Sequence, residues 1–377
     1  MPDNDVTARA GATDAPSADV RPELPLRYGT LFARLSASLL IAGGFVWALR
    51  KGGLPLVPAA DQLSKLSLAP IAGYFLLSTI ATLLRTYRWN YLLRPINPEL
   101  SARRTMGVSC VGLAAVFFAP MRMGEIVRPW LLSQDREVSF VHAAGTVVAE
   151  RIVDGLSLTG LLAVSLLFAT PLSPLPDHVG NLSLPVALVP AISLSAFTSF
   201  ALAFLAMVLF YFWRATAHKV VSSVVSLVSK PLAVWVTRQV ERVADSLRFL
   251  FSRKHGLSFL RDTTVYWAVN AFGHFVLIQG CGVPASFVQT CVTLGVLGLS
   301  TLLPSGPGFF GTYQLGVYCG LAMFFPEDIV LGPGALFTFL SYSIQLTLGI
   351  ISGVFGMWLL STHPPAHDPS ANARRSR

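Results

Sequence analysis

The chain has 377 residues, of which 53% are apolar and only 12% charged, about half the charged share of an ordinary soluble domain. That balance excludes a conventional soluble enzyme and makes the bilayer, rather than a soluble core, the factor that sets element lengths. The net charge of +9 does not point to nucleic acid, because the basic residues flank hydrophobic runs instead of forming a patch with interleaved aromatics.

Residues 1–28 are rich in Ala, Asp and Pro, with Asp3, Asp5, Asp14 and Asp19 where a secretory signal needs positive charge. They are expected to form a disordered cytoplasmic tail that feeds into the first span. Apolar runs approaching the ~20 residues of a membrane-crossing helix follow, roughly at 31–49 and 68–84. At the end of the second run stand Arg85 and Arg88, one turn apart, followed by Trp89 and Asn90. Arg with Tyr and Trp at an interface is what an anchoring belt supplies. The alternative is a pair of guanidiniums that holds a phosphate.

Residues 106–119 are apolar but short, and stop at Pro120. Arg122, Glu125 and Arg128 follow at spacings of three, so on a helix they share one face as a plus–minus–plus ladder. Next, Glu150, Arg151 and Asp154 open the run at 152–170. Glu150 and Asp154 are one turn apart and repel unless a cation lies between them, with Arg151, Arg122 or Arg128 as the available cations. A buried or half-buried ion cluster linking these two segments is therefore expected.

After the run at 186–213, the stretch 214–261 carries Arg214, Lys219, Lys230, Arg238, Arg242, Arg248, Arg253, Lys254 and Arg261. Within it Leu232, Val236, Val240, Val243, Leu247 and Leu250 recur at helical spacing. This is either an interfacial helix resting in the headgroups or a plain connecting helix. The run at 263–280 contains Asn270, His274 and Gln279, read as groups bonded to neighbouring helices more readily than as a proton relay.

A run at 287–303 leads into Pro304, Gly306, Pro307, Gly308 and Gly311, then Tyr313 and Gln314. A helix does not survive that density of Pro and Gly, so backbone N–H groups are expected to be free at the start of the following segment, 309–325, as a potential anion site. The last run is 335–360. The four cysteines, Cys110, Cys281, Cys291 and Cys319, have no metal or redox spacing and read as small packing residues.

Lys and Arg set the expected orientation. The stretches 85–104 and 214–261, the loop with Arg122, Arg128 and Arg136, and a C-terminus with Arg374, Arg375 and Arg377 should be cytoplasmic. The stretches 171–185, 281–286 and 326–330 have no Lys or Arg and should face outward. Both ends of 106–119 then lie on one side, which requires a re-entrant element buried in protein or lining a wet cavity. The fold class is all-α integral membrane: a polytopic helical bundle of about eight spans, with a re-entrant or broken segment near 106–125 and another break near 304–311. Two breaks suit a transporter with discontinuous helices, although no convincing sequence repeat accompanies them.

Four strings occur in order: R-x-x-R-W ending at Trp89, P-x-R-x-G-E-x-x-R at 120–128, E-R-x-x-D at 150–154 and P-x-G-P-G-x-x-G at 304–311. Together, over roughly residues 30–360, they resemble the lysylphosphatidylglycerol synthase transmembrane region, a flippase-like family. The resemblance implies a multi-pass bacterial inner-membrane protein with a transmembrane domain at 29–361, tails at 1–28 and 362–377, and a role in handling lipids or lipid-linked headgroups. The chain ends soon after its last span, so no aminoacyl-transferase domain and no lysylphosphatidylglycerol synthesis are expected; stand-alone relatives include proteins associated with hopanoid pathways.

The leading expectation is a lipid transporter whose Arg85, Arg88, Arg122 and Arg128 neutralise an anionic headgroup. Glu125, Glu150 and Asp154 would position those cations beside Arg151, with Gly306, Gly308, Tyr313 and Gln314 contributing from the second break. No ATP-binding motif is present, so movement would be passive or ion-coupled. No cofactor, metal or nucleic-acid partner is expected; the partners are membrane lipids and lipid-biosynthesis enzymes. The rival readings are a membrane-embedded lipid-modifying transferase with Glu125 or Asp154 as general base, and a non-catalytic member of a lipid-biosynthesis complex.

Overall fold

Among the described residues, four stretches make helices long and apolar enough to cross a membrane: 68–93, 140–168, 186–212 and 327–362. The computed structural model describes residues 28–60, 62, 67–119, 124–134, 138–183, 186–226 and 230–362. Apart from Tyr28 and Thr362, the tails expected at 1–28 and 362–377 lie outside these, as do Pro120, Arg122 and Arg136. The long helices leave large apolar side chains uncovered, among them Leu194, Leu202, Leu205 and Phe212 on one of them and Ile350, Val354 and Trp358 on another. In water such a surface would drive aggregation; in hydrocarbon it is the expected exterior.

In chain order the helices are α1 (Tyr28–Lys51), α2 (Leu68–Tyr87), the short α3 (Trp89–Leu93), α4 (Ala102–Phe118), α5 (Gly124–Ser133), α6 (Phe140–Phe168), α7 (Val189–Phe212), α8 (Arg214–Ser226), α9 (Lys230–Ser246), α10 (Arg248–Phe251), α11 (Arg253–Gly280), α12 (Phe287–Ser300), α13 (Thr312–Ala322), α14 (Glu327–Leu331) and α15 (Pro333–Thr362). A two-stranded ribbon pairs β1 (His178–Val179) with β2 (Leu182–Ser183) between α6 and α7.

Both expected breaks are present, and each makes a hairpin. Antiparallel α4 and α5 approach so closely that a Cβ on Gly124 would collide with the backbone of Ala115 and Val116. Antiparallel α12 and α13 pack Gly316 on Leu297 and Ser300, and Gly320 on Thr293. The 14 residues of α12 rise only ~21 Å, short of the ~30 Å hydrocarbon thickness. The segment 287–303, read from hydropathy as a span, is therefore one arm of a re-entrant hairpin, and 309–325 is the other. The tips of the two hairpins meet, with the rings of Phe117 and Phe309 packed edge to face at 5.5 Å.

Around these tips the helices form two sets with the same plan: a long helix, a hairpin and a second long helix. The first set is α2, α4–α5 and α6; the second is α11, α12–α13 and α15. Helices α2 and α11 run antiparallel, pairing Gly280 with Pro70, Tyr74 with His274 and Arg88 with Thr263. Helix α15 runs antiparallel to α4, with Gly349 on Phe117, Gly353 on Ala114 and Gly356 on Cys110. Helix α12 runs antiparallel to α6, with Gly295 on Leu162 and Gly298 on Leu158. Each element of the second set therefore runs opposite to its counterpart in the first, and the packing of α4 on α15 is matched by that of α12 on α6. This is an inverted repeat in helix direction, carried by small residues that let the backbones approach.

The basic stretch 214–261 contains α8 and α9, which pack on each other, and α9 also packs on α6. Ser246 donates to the carbonyl of His142 at 3.0 Å, and Leu247 is buried. Part of the apolar stripe is thus covered by protein, while Val234 and Trp235 stay exposed.

Candidate functional site

The side chains with the highest desolvation cost come together where α2, α5 and α6 converge. An isolated charge near mid-membrane costs roughly 3 kcal/mol on insertion scales, so charges persist there only when paired. Arg88, fully buried between α2 and α3, directs Nη2 to Glu150 Oε1 at 3.3 Å and to Asp154 Oδ2 at 2.5 Å. Its Nη1 donates to Thr263 Oγ1 on α11 at 2.9 Å, tying the two sets together. Arg128 Nη1 lies 2.9 Å from Glu150 Oε2, and Arg151 Nη2 lies 2.9 Å from Glu150 Oε1 and 3.5 Å from Asp154 Oδ2.

Aromatic faces complete the wall. The Arg128 guanidinium stacks 4.3 Å from the Trp89 ring, and the Arg88 guanidinium lies over Tyr266 and Phe259. Trp89 is itself fixed, donating Nε1–H to Thr146 Oγ1 at 3.0 Å. The planar guanidinium combines forked hydrogen bonding with stacking on a ring, so Lys is not an equivalent at Arg88 or Arg128.

Beside this network lies a cavity of about 430 Å³, within the size range of small-molecule sites. Its charged end is formed by Arg85, Glu125, Arg151 and Asp154. The rest is walled mostly by apolar and aromatic groups from both sets and from α7, including Phe117, Leu158, Phe200, Leu297, Leu302 and Phe309, with polar side chains such as Asn270 and Gln345 among them. Among the described residues near this end, the guanidiniums of Arg85, Arg88, Arg128 and Arg151 outnumber the carboxylates of Glu125, Glu150 and Asp154. The surplus is positive, which suits an anion. Among the described residues no cluster of His, Cys, Asp and Glu could hold a metal ion.

The sequence-derived candidates divide into three groups. Arg85, Glu125, Arg151, Asp154 and Tyr313 line the cavity. Arg88, Arg128 and Glu150 stand behind it as the buried ionic support. The cation between Glu150 and Asp154 includes Arg88, which local spacing did not suggest, as well as Arg151. Arg128, expected in a cytoplasmic loop and also as one of the available cations for Glu150 and Asp154, is helical and buried and pairs with Glu150. Arg122 lies outside the described residues.

The second break supplies less than expected. Gly306 is pressed against Ala42 of α1, and Gly308, at φ 70°, sits beside Tyr342 and Leu346. The Gln314 side chain accepts from the Gly311 N–H at 2.8 Å and caps α13 from within. That N–H is therefore not free for an anion, and Gly306, Gly308 and Gln314 do not border the cavity.

Sequence reasoning missed Tyr74, Thr263, Tyr266, Trp267 and Gln345. Tyr74 Oη lies 3.3 Å from His274 Nε2 and accepts from Gln345 Nε2 at 3.1 Å, joining three helices. These residues are common in membrane helices, and no local pattern sets them apart. The available cue was polarity inside an apolar run, which flagged Asn270, His274 and Gln279.

Residues 35–349 match the family model described as the lysylphosphatidylglycerol synthase TM region. No curated protein and no solved structure matches the chain.

Proposed function

The chain belongs to the lysylphosphatidylglycerol synthase TM region family, and from that premise we propose that it binds an anionic lipid or lipid-linked headgroup and carries it across a bilayer. One observation carries the reading: one cavity, with arginines at one end and mostly apolar side chains along the rest, lies between two helix sets of opposite direction. A phosphate would sit at Arg85 and Arg151, where charge-assisted hydrogen bonds replace its hydration. The acyl chains would follow the apolar wall at Leu158, Leu297 and Leu302.

Inverted sets around a central site are the architecture from which alternating access arises, by rocking of one set against the other. The meeting of Phe117 and Phe309 at the hairpin tips supports a gate at that point. The membrane is a bacterial inner membrane, with the Arg-rich ends of α2 and α11 and both termini cytoplasmic. Partner enzymes that supply the lipid belong to the same proposal.

The test is reconstitution in phosphatidylcholine vesicles with a fluorescent phosphatidylglycerol, following the label between leaflets. Protein-dependent exchange that Arg85→Gln slows is the expected result. A rate equal to that of empty vesicles, for every anionic lipid tried, would overturn the reading.

A further inference from the structure

The cavity has a second polar region, separate from the arginines. Trp267, Asn270 and Tyr313 all border it. Trp267 Nε1, Asn270 Oδ1 and Tyr313 Oη are all buried with no hydrogen-bond partner among the described residues. Buried polar atoms are almost always paired, so three unpaired ones around one cavity call for a ligand or water. A smaller cleft lined by Ser78, Thr82, Arg85, Asn270 and Gln345 leads from the charged end towards them. Arg85 and Asn270 each border both this cleft and the main cavity, so the charged end and the second polar region adjoin.

The chemistry of this region is neutral. The polar side chains lining the cavity beyond Asp154 are Tyr266, Trp267, Asn270, His274, Thr301, Tyr313 and Gln345, with no carboxylate among them. Both carboxylates of the cavity stand at its charged end: Glu125 acts on Arg151, and Oδ1 is unpaired on the other, Asp154, whose carboxylate is held between Arg88 and Arg151. It can accept from a hydroxyl, yet it has no uncompensated charge to offer an ammonium. A cation moved into this wall would lose its hydration without gaining a counter-ion, a severe penalty in a low-dielectric site.

Resting on the proposed lipid binding and refining it, we infer that Trp267, Asn270 and Tyr313 form a subsite for an uncharged, hydroxyl-bearing headgroup. A glycerol or sugar linked to the phosphate held at Arg85 and Arg151 fits this description. Hydroxyls both donate and accept, which matches an indole N–H, a carboxamide and a phenol. The subsite selects against a bare phosphate monoester, which leaves these groups unpaired, and against an aminoacylated, cationic headgroup.

The experiment compares leaflet-exchange rates of fluorescent phosphatidylglycerol, phosphatidylinositol, phosphatidic acid and lysyl-phosphatidylglycerol in phosphatidylcholine vesicles holding the full-length protein. Phosphatidylglycerol and phosphatidylinositol should exceed the other two by about tenfold, the effect of roughly one buried hydrogen bond. Tyr313→Phe removes only an oxygen that completes no hydrogen bond among the described residues, and an unfolding midpoint in detergent equal to that of the wild type shows that the fold is kept. It and Asn270→Ala should each reduce the ratio of phosphatidylglycerol to phosphatidic acid rates. Arg85→Gln should slow all anionic lipids and leave that ratio in place. Equal wild-type rates for phosphatidylglycerol and phosphatidic acid, a lysylated lipid that moves as fast, or a Tyr313→Phe ratio equal to the wild type would each overturn the subsite while lipid transport stands. Exchange of none of the four would overturn transport itself.

Discussion

Arg128 on α5 places its Nη1 2.9 Å from Oε2 of Glu150 on α6, and neither side chain is more than a tenth exposed. The other carboxylate oxygen of Glu150 faces Arg88 and Arg151. One carboxylate thus bridges guanidiniums from three parts of the chain; without it, Asp154 is left to balance Arg88 and Arg151, and Arg128 loses its carboxylate in a dry environment.

Glu150→Gln should therefore destabilise the protein by about 3–5 kcal/mol, the usual result of breaking a buried ion pair from one side. Thermal unfolding in detergent would read this as a lowered midpoint. The double variant Glu150→Leu with Arg128→Met, which removes both members of one pair, should lose less than the sum of the two singles. Strict additivity would show that the pair does not act as a unit.

Arg85 and Arg88, one turn apart, should behave differently. Arg85 lines the cavity and makes no ion pair among the described residues, whereas Arg88 is fully buried between Glu150 and Asp154. Arg85→Gln should keep the unfolding midpoint and lose transport of anionic lipids. Arg88→Gln should lower the midpoint, by the mechanism described for Glu150. A destabilised Arg85→Gln with normal transport would reverse the assignment.

The hairpins can be probed by adding a single methyl group. Gly124→Ala drives a Cβ into the backbone of α4, which cannot yield as a flexible side chain would. Overpacking of this kind costs about 1–3 kcal/mol. Gly43→Ala on α1 meets nothing within 4 Å and should be neutral or stabilising by up to ~1 kcal/mol through helix propensity. Similar unfolding midpoints for the two variants would argue against the close approach of α4 and α5.

If the hairpin tips separate during transport, joining them should stop it. With the four native cysteines replaced by alanine, Phe117→Cys and Phe309→Cys should be bridged by a short bifunctional thiol reagent and lose lipid exchange. A reducible cross-linker should then restore exchange on reduction. Unchanged exchange in the fully cross-linked protein would place the moving part elsewhere.

Membrane residence and both breaks were legible in the residues alone, but helix starts were not: α6 begins at Phe140 and α11 at Arg253, well before the apolar runs at 152–170 and 263–280. The bilayer imposes a length on every apolar run, and a stretch as dense in Pro and Gly as Pro304 to Gly311 does not sustain a helix. The ion cluster was legible as a need: Glu150 and Asp154, one turn apart, required a cation. Which cation was not legible, because several arginines can satisfy two carboxylates and only the meeting of α2 with α6 brings in Arg88, 62 residues away. The role of Gln314 was equally hidden, since a free and a capped helix start read alike until the side chain turns back onto Gly311. The inverted repeat resides in helix direction and not in residue identity. The sequence by itself determined where this protein lives and where its helices break, because those follow from local backbone and solvation energetics. Only the tertiary structure decided which charges pair, which polar groups remain unpaired beside the cavity, and that the two halves oppose each other, because each depends on contacts between segments far apart in the chain.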